Sequence, residues 1–458
     1  MDQPGFLTAL MERFATESPL VVMTRATMEQ ALNAAELDAL FERESEEQYL
    51  RELTFSTTVD LMGSVVLRSH RSINAAYKAS PDSVGVSVTS VYNKVNGVEP
   101  KVSSALVAHS AGKPGSVIEH LGGQLPPLLS GYRLRIIDGN HLAATQRRLK
   151  VLRGSVAGPL PGQSLAVLCP SRMLITDLIA CEDGHAQERS LTEEILQLVK
   201  AGDAWMADRN FCTARILSGI AERKASFIIR QHASNVAWEP AGEPVHCGTT
   251  DTGEVFEQKV VLLFEHGPLE ARRITIKLKD ATRDGDRALH ILTNLPASVP
   301  AVEIAVLYRQ RWTLETAFKE LTEHLRCEVS TLGYPRAALF AFALAVVAYN
   351  ALSTVKAALR AEHGHEVIEQ DLSGYYVADE ISGLYRAMMI LLPPPAWVHF
   401  RQMSAQHLAE QLRACARHVK LRKYKKSKRG PKKPVPARTR FKGKSHISTA
   451  KLLESEHR

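Results

Sequence analysis

The chain has 458 residues, 45% of them hydrophobic and 23% charged, an ordinary globular composition long enough for two or three domains with a sizeable buried core. Its six cysteines, Cys169, Cys181, Cys212, Cys247, Cys327 and Cys415, form no CxxC pair; this argues against a zinc site or a disulfide framework and fits a reducing cytoplasm. The net charge of +8 conceals an asymmetry, because Arg417 to Lys444 holds fourteen Lys or Arg and no Asp or Glu, leaving −6 for the rest.

The first residues, MDQPGFLTALMERF, are too acidic and too mixed for a signal peptide. Residues 1 to about 130 read as largely helical. Met28 to Leu67 is rich in Ala, Leu, Glu and Arg with apolar residues at helical spacing. After a break at Ser80-Pro81-Asp82, Val86 to Val95 is a short segment ending at Asn96-Gly97. Gly122-Gly123 and Pro126-Pro127 mark a boundary. From Tyr132 the texture changes. Arg133 to Ile137 alternates and is β-branched, which predicts a strand ending in a turn at Asp138-Gly139-Asn140. Ser164 to Cys169 and Met173 to Cys181 predict two more strands. Thr192 to Lys200 predicts a helix with Ser190 as N-cap and Gly202 as its stop. Ala204 to Ala207 is a short strand before Asp208. Phe211 to Glu222 reads as a helix and Ser226 to Arg230 as a strand. This order indicates an α/β domain on a mixed sheet. Between Gln231 and Asn294, Val255 to Phe264 and Arg273 to Lys279 alternate with charges, which predicts an antiparallel β insertion. Helical texture returns from Val302 to about Arg360 and runs less regularly to Arg417. Within it, Ala337 to Leu352 is apolar but shorter than the ~20 residues that span a bilayer, so a buried helix is expected. The basic run that follows reads as a solvated segment, a phosphate-pairing arm or a membrane-surface contact, the last without a neighbouring amphipathic helix to support it.

The most informative segment is YRQRWTLETAFKELTEHLR, Tyr308 to Arg326. On one helix, Tyr308, Arg311, Glu315, Lys319 and Thr322 form a polar stripe, opposite Leu307, Leu314, Phe318, Leu321 and Leu325. By itself this could be a surface helix with an Arg311–Glu315 pair. Asp138 and Asp208 each follow a predicted strand, where open α/β folds place their sites, although either alone could be a turn or cap residue. Two strand-end aspartates and a helical glutamate form an all-oxygen donor set for two Mg2+ ions, which suits phosphodiester cleavage.

At these residues the chain resembles a bacterial insertion-sequence transposase of the DDE type, in the insertion-sequence 4 family. The match lies in Ile136-Ile137-Asp138-Gly139, in Asp208-Arg209-Asn210-Phe211, and in Tyr308, Arg311 and Glu315 of a Tyr-x2-Arg-x3-Glu-x6-Lys pattern. The final Lys of that pattern is Thr322 here, with Lys319 one turn earlier on the same face. Phe227 to Arg230, Leu292 to Leu295 and Ala348 to Leu352 add further similarity.

The resemblance implies an α/β, ribonuclease H-like catalytic domain at 129–230 and 295–360, interrupted by a β-strand insertion at 231–294. It implies an N-terminal helical, DNA-binding region at 1–128, a C-terminal helical region at 361–416 and a basic tail at 417–458. Asp138, Asp208 and Glu315 would be catalytic and hold two Mg2+, with Mn2+ able to substitute. Tyr308, Arg311, Lys319, Arg209 and Arg230 would contact DNA. Trp312 is expected to pack. Trp238 is read either as a structural residue or as a stacking partner for a flipped base. The partners implied are inverted-repeat DNA at transposon ends and target DNA, in a homodimeric complex without membrane, in a bacterial cytoplasm at the nucleoid. The alternatives are a ribonuclease H-like DNA nuclease without strand transfer and a non-catalytic DNA-binding protein descended from a transposase.

Overall fold

The β-branched run from Arg133 starts the central strand of a large mixed sheet. The computed structural model describes residues 4–49, 52–79, 81–154, 158–282, 285–325, 327–427 and 446–456. Its strands are β1 (Arg133–His141), β2 (Gly158–Leu160), β3 (Gln163–Cys169), β4 (Leu174–Cys181), β5 (Asp203–Ala207), β6 (Ser226–Arg230), β7 (Trp238–Pro240), β8 (Val245–Thr250), β9 (Gly253–Phe264), β10 (Gly267–Leu278), β11 (Ala288–Thr293) and β12 (His446–Ser448). The main sheet runs β4-β3-β1-β5-β6-β11-β10-β9-β7, with β8 also on β9. β4, β3 and β1 pair antiparallel, and β1, β5 and β6 pair parallel.

The helices are α1 (Pro4–Glu17), α2 (Pro19–Ala31), α3 (Ala34–Glu44), α4 (Phe55–Val66), α5 (Ile73–Ala79), α6 (Pro81–Val84), α7 (Val88–Gly97), α8 (Pro100–Leu121), α9 (Thr192–Leu198), α10 (Ala214–Glu222), α11 (Ala301–Tyr308), α12 (Trp312–His324), α13 (Pro335–His363), α14 (His365–Asp371), α15 (Gly374–Leu391), α16 (Val398–Arg401), α17 (Ala405–Arg417) and α18 (Thr449–Glu456). The stretch from Met28 to Leu67 divides into three helices because capping residues interrupt it. Asn33 accepts the N–H groups of Ala35 and Glu36, and Thr54 accepts that of Thr57.

Several local expectations change. Asp138-Gly139-Asn140 is not a turn, because β1 continues through it to His141, paired with Gln163. Ser190 does not cap α9. It lies in a 3-10 turn, Glu188–Leu191, with its hydroxyl donating to the Gln187 carbonyl at 2.7 Å. α9 stops at Leu198, and Gly202, at φ +80°, instead turns the chain into β5. Phe211 belongs to a 3-10 turn, and α10 starts after Thr213, whose hydroxyl accepts the Ile216 N–H.

The antiparallel strands between Gln231 and Asn294 extend the central sheet, since β11 pairs with β6. Asn294 prolongs that pairing with its side chain: Oδ1 accepts from Phe227 N at 2.8 Å and Nδ2 donates to Ala225 O at 3.1 Å.

Strand alternation divides the core in two. Ile137, Leu165, Val167, Trp205, Phe227 and Ile229 face α9 and α10. Leu134, Ile136, Ala166, Leu168, Met206 and Ile228 face the long helices on the other side. There α13 packs against α8, α4, α2 and α17, so the N-terminal and C-terminal helices share one layer. α13 extends to His363, well past the apolar run ending at Leu352. By length and composition it is able to cross a membrane, but its apolar window is 94% buried inside the protein. Gly123 allows the close approach of α13: a Cβ there would lie 2.1 Å from the Ala357 carbonyl oxygen.

The basic run is partly described. Residues 428–445 lie outside the described set. On either side of them Lys426 donates to the carbonyls of Glu369 and Gln370, and β12 pairs in parallel with β2.

One buried amide joins α13 to the sheet. β4 carries an extra residue, so that Val167 pairs with Asp177 but Leu168 with Ile175. Beside this bulge, Asn350 accepts from Ile175 N at 2.9 Å and donates to Ile175 O at 2.8 Å. Asn350→Leu would keep the volume but orphan both backbone groups, costing roughly 2–4 kcal/mol. We expect its urea unfolding midpoint to fall accordingly; an unchanged midpoint would show that water or rearrangement replaces the amide.

Candidate active site

β1 and β5 run in parallel with Ile136 level with Met206. Extending that register sets Asp138 level with Asp208, which directly follows β5. β5 stops because Asp208 accepts the Asn210 N–H at 2.7 Å and caps the 3-10 turn Arg209–Phe211. β1 runs on, and this leaves a notch at the sheet's end. The carboxylates of Asp138, within β1, and Asp208, just past β5, are thereby set on neighbouring strands.

The third acid comes from α12. The segment from Tyr308 is not one continuous helix: α11 ends at Tyr308, Arg309–Arg311 form a 3-10 turn, and α12 begins at Trp312. The break removes Tyr308 from the polar stripe. Its ring is buried, and its hydroxyl donates to the Ala207 carbonyl at 3.3 Å, tying the helix to the end of β5. Burial, with Asp208 and Asp138 nearby, raises the phenol's pKa. Leu307, Leu314, Phe318, Leu321 and Leu325 are buried beneath the helices. Lys319 is exposed and pairs with Glu323 at 3.6 Å. Thr322 lies in α12, but its side chain and all of Arg326 lie outside the described residues.

Arg311 connects two of the acids. Its Nη1 donates to Asp138 Oδ2 at 2.8 Å and its Nη2 to Glu315 Oε1 at 2.7 Å. Burial opposes the guanidinium's charge, but Asp138, Tyr308 and Glu315 together raise its pKa. Asp138 is pushed up to about 7, first by burial and then by Asp208 and Glu188, with Arg311 acting against the shift. Glu315 is half-exposed.

Glu188 had no motif to single it out. It begins the 3-10 turn before α9, and Asn210 donates to its Oε2 at 3.1 Å. Burial and the charge of Asp208 raise its pKa. The other proposed contacts scatter. Arg209 is exposed on the turn beside Asp208. Arg230 pairs with Asp286 at 2.6 Å. Trp238 lies in β7 at the far edge of the sheet, with Arg273 stacked 4.9 Å from its ring centre. Trp312 does not pack as expected: it is 54% exposed, because the helix break turns it outward. Glu188 lines one cleft, and the turn before α12 with the start of α12 lines another. One of about 810 Å³ includes His141, Glu188, Asn210 and His232; one of about 360 Å³ includes Arg309, Trp312, Thr316 and Lys356.

The donor set is entirely carboxylate oxygen, which suits a hard divalent cation such as Mg2+ or Mn2+. Asp138, Glu188 and Glu315 interact with the Arg311 guanidinium, and Asp208 adds a further negative charge beside Asp138 and Glu188. Among the described residues no three acidic, His or Cys side chains converge on one point. Arg311 supplies the positive charge between Asp138 and Glu315.

Residues 129–351 match the family model of the transposase DDE domain. The chain is 28% identical over 162 residues to a Sinorhizobium fredii protein named "Putative transposase y4zB"; the match covers 34% of this chain and 42% of that relative's length. Among solved structures, the chain is similar to a piggyBac transposase in a synaptic complex with hairpin DNA. That similarity has a TM-score of 0.37 at 9% identity, over 86% of this chain and 84% of the other.

The charge crowding has a pH signature. The Asp138 pKa, about 7 in the fold against 3.8 for the ordinary group, means that the folded state holds this proton more firmly than the unfolded chain. Its contribution to stability is therefore lost as pH rises from about 4 to about 7. Asp138→Asn should melt above the parent at pH 8 without metal, and the advantage should shrink at pH 5. A constant or reversed difference would contradict this electrostatic account.

Proposed function

From the transposase DDE domain that residues 129–351 carry, we propose that this protein is a DNA transposase that cuts DNA at the ends of a mobile element and joins the freed ends to target DNA. The observation that supports the reading is Arg311, which bonds to both Asp138 and Glu315, with Asp208 near enough to Asp138 to raise its pKa. A ribonuclease H-like core belongs to this reading. Supporting it are three antiparallel strands, β4, β3 and β1, continued by two parallel ones, β5 and β6, with the acids at the end of the parallel pair. The catalytic unit is then 129–230 with 295–360, and 231–294 is its β insertion. Residues 1–128 would bind DNA together with the basic tail at 417–458, and 361–416 would support the core.

Asp138, Asp208 and Glu315 would hold two Mg2+ ions, with Mn2+ able to replace them. Bound there, the ions supply an activated nucleophile and a neutralised leaving oxygen for displacement at phosphorus. The protein's own groups do the rest. Tyr308 fixes the α11–α12 break against β5, and Arg311 then bridges Asp138 and Glu315. Arg311 presents two parallel N–H donors that fit a phosphate as well as a carboxylate, so DNA competes with Asp138 for it. Arg209, exposed beside Asp208, and Lys319, exposed on α12, would pair with phosphates along the strand. Two copies would hold two ends in a paired complex.

Asp138→Asn, Asp208→Asn and Glu315→Gln should each reduce Mg2+-dependent cleavage of end DNA by about 10³-fold or more, the equivalent of several kcal/mol of transition-state stabilisation. Gel-shift binding of the same DNA should stay within about threefold. Cleavage at the parent rate by any one of them would remove that residue from the assignment. Nicking without joined product would favour a nuclease, and binding without cleavage by the parent would favour a non-catalytic DNA-binding protein.

A further inference from the structure

We propose that the cavity between the N-terminal helices and α15 binds a small amphipathic anion, with its apolar body beside Gly63 of α4 and its acidic head beside Arg386 of α15. The inference is independent of the transposase reading, and the cavity shares no residue with the two clefts described above.

The first ground is space. The cavity holds about 430 Å³ and is walled chiefly by α2, α4 and α15. That is the size of a pocket for a small organic molecule. Met28, Leu32, Val59, Leu67, Met389 and Ile390 line it with apolar surface, and the two methionines can adapt to a guest. Gly63 keeps it open. It lies buried within α4, where glycine is less favourable than any residue but proline. Neither of the usual reasons for a glycine applies. Its φ is not positive, and a Cβ there would meet nothing within 4 Å. The missing side chain relieves no contact; it leaves an opening in the wall, one turn along α4 from Val59 and Asp60.

The second ground is charge. Arg25 and Arg401 both pair with Glu29, so two guanidiniums share one carboxylate. Arg25 also donates to the Tyr385 hydroxyl at 3.1 Å. Arg386 is exposed at the rim and has no hydrogen bond or ion pair among the described residues. Burial and then the charge of Arg386 lower the His70 pKa, so that imidazole is neutral beside it. Asp60 is the other acid of the lining. It is open to the cavity and likewise has no hydrogen bond or ion pair among the described residues. Burial raises its pKa against the pull of Arg25 and Arg401, which favours a carboxylic acid that donates a hydrogen bond over a competing charge. In the same wall Ser69 Oγ and His70 Nε2 are buried without partners. Cations outnumber anions here, and polar groups are left unused, on an otherwise apolar lining. An acidic head with an apolar body complements both features.

Fluorescence titration of the full-length protein with 8-anilinonaphthalene-1-sulfonate, an aromatic body with one sulfonate, tests this. Octanoate, octanol and octylamine serve as competitors of one chain length and three charges. The parent should bind the dye saturably, and octanoate should displace it best. Gly63→Leu should weaken dye binding about tenfold or more by filling the space, yet melt no lower than the parent, because the new side chain clashes with nothing and suits a helix. Arg386→Gln, at an exposed position, should weaken octanoate about tenfold and leave octanol unchanged. Octanoate should raise the melting temperature of the parent but not of Gly63→Leu. If the parent shows no saturable binding, or if Gly63→Leu binds the dye as the parent does, the site is wrong. If octylamine displaces the dye better than octanoate, the charge of the ligand is wrong and the proposal fails. Should Gly63→Leu melt below the parent, Arg386→Gln decides: loss of the preference for octanoate over octanol with unchanged melting upholds the proposal, and an unaltered preference overturns it.

Discussion

The repulsion among carboxylates at the end of one strand pair is the constraint that orders the rest of this protein. Asp138, Asp208, Glu188 and Glu315 come from four separate segments, and the Arg311 guanidinium bonds to two of them, Asp138 and Glu315. The Arg311–Asp138 ion pair closes a separation of 173 residues. Bringing like charges together out of water is costly, so they need a framework that cannot relax away from them. That framework is the parallel pairing of β1 with β5, the helix break at Arg309–Arg311, and the bond from Tyr308 to the Ala207 carbonyl.

The rigidity is supplied on both faces of the sheet. On one side α9 and α10 bury a compact apolar cluster around Trp205, Phe211 and Phe227. On the other, α13 runs the length of a second core, its small residues allowing close contact with α8 and with the chain at Gly123. Asn350 converts an irregularity in β4 into a fixed connection, because its amide satisfies the backbone of Ile175. N-terminal and C-terminal helices close around the same α13, and the buried Glu29 pairs with both Arg25 and Arg401 across that joint.

The two clefts beside the acids differ in character. One is edged by His141, His232, Glu188 and Asn210, the other by Arg309, Trp312 and Lys356.

The sequence alone determined the alternation that makes β1, β3, β4, β5 and β6, the antiparallel character of the strands after Gln231, and the identity of the residues around Asp138, Asp208 and Glu315. These features are local: side-chain period and motif spacing are written in consecutive residues. Tertiary structure alone decided the rest. Asp138-Gly139-Asn140 reads as a turn, but pairing with β3 draws it into the strand. Tyr308 to His324 reads as one helix with an exposed stripe, but the docking of Tyr308 on Ala207 breaks it, burying the phenol and exposing Trp312. Glu188 carries no motif, and only the fold sets it against Gly139 and Asn210. Periodicity reports which face of an element is apolar; it does not report which distant groups that face will meet. A charge cluster assembled from four segments is therefore decided when they pack.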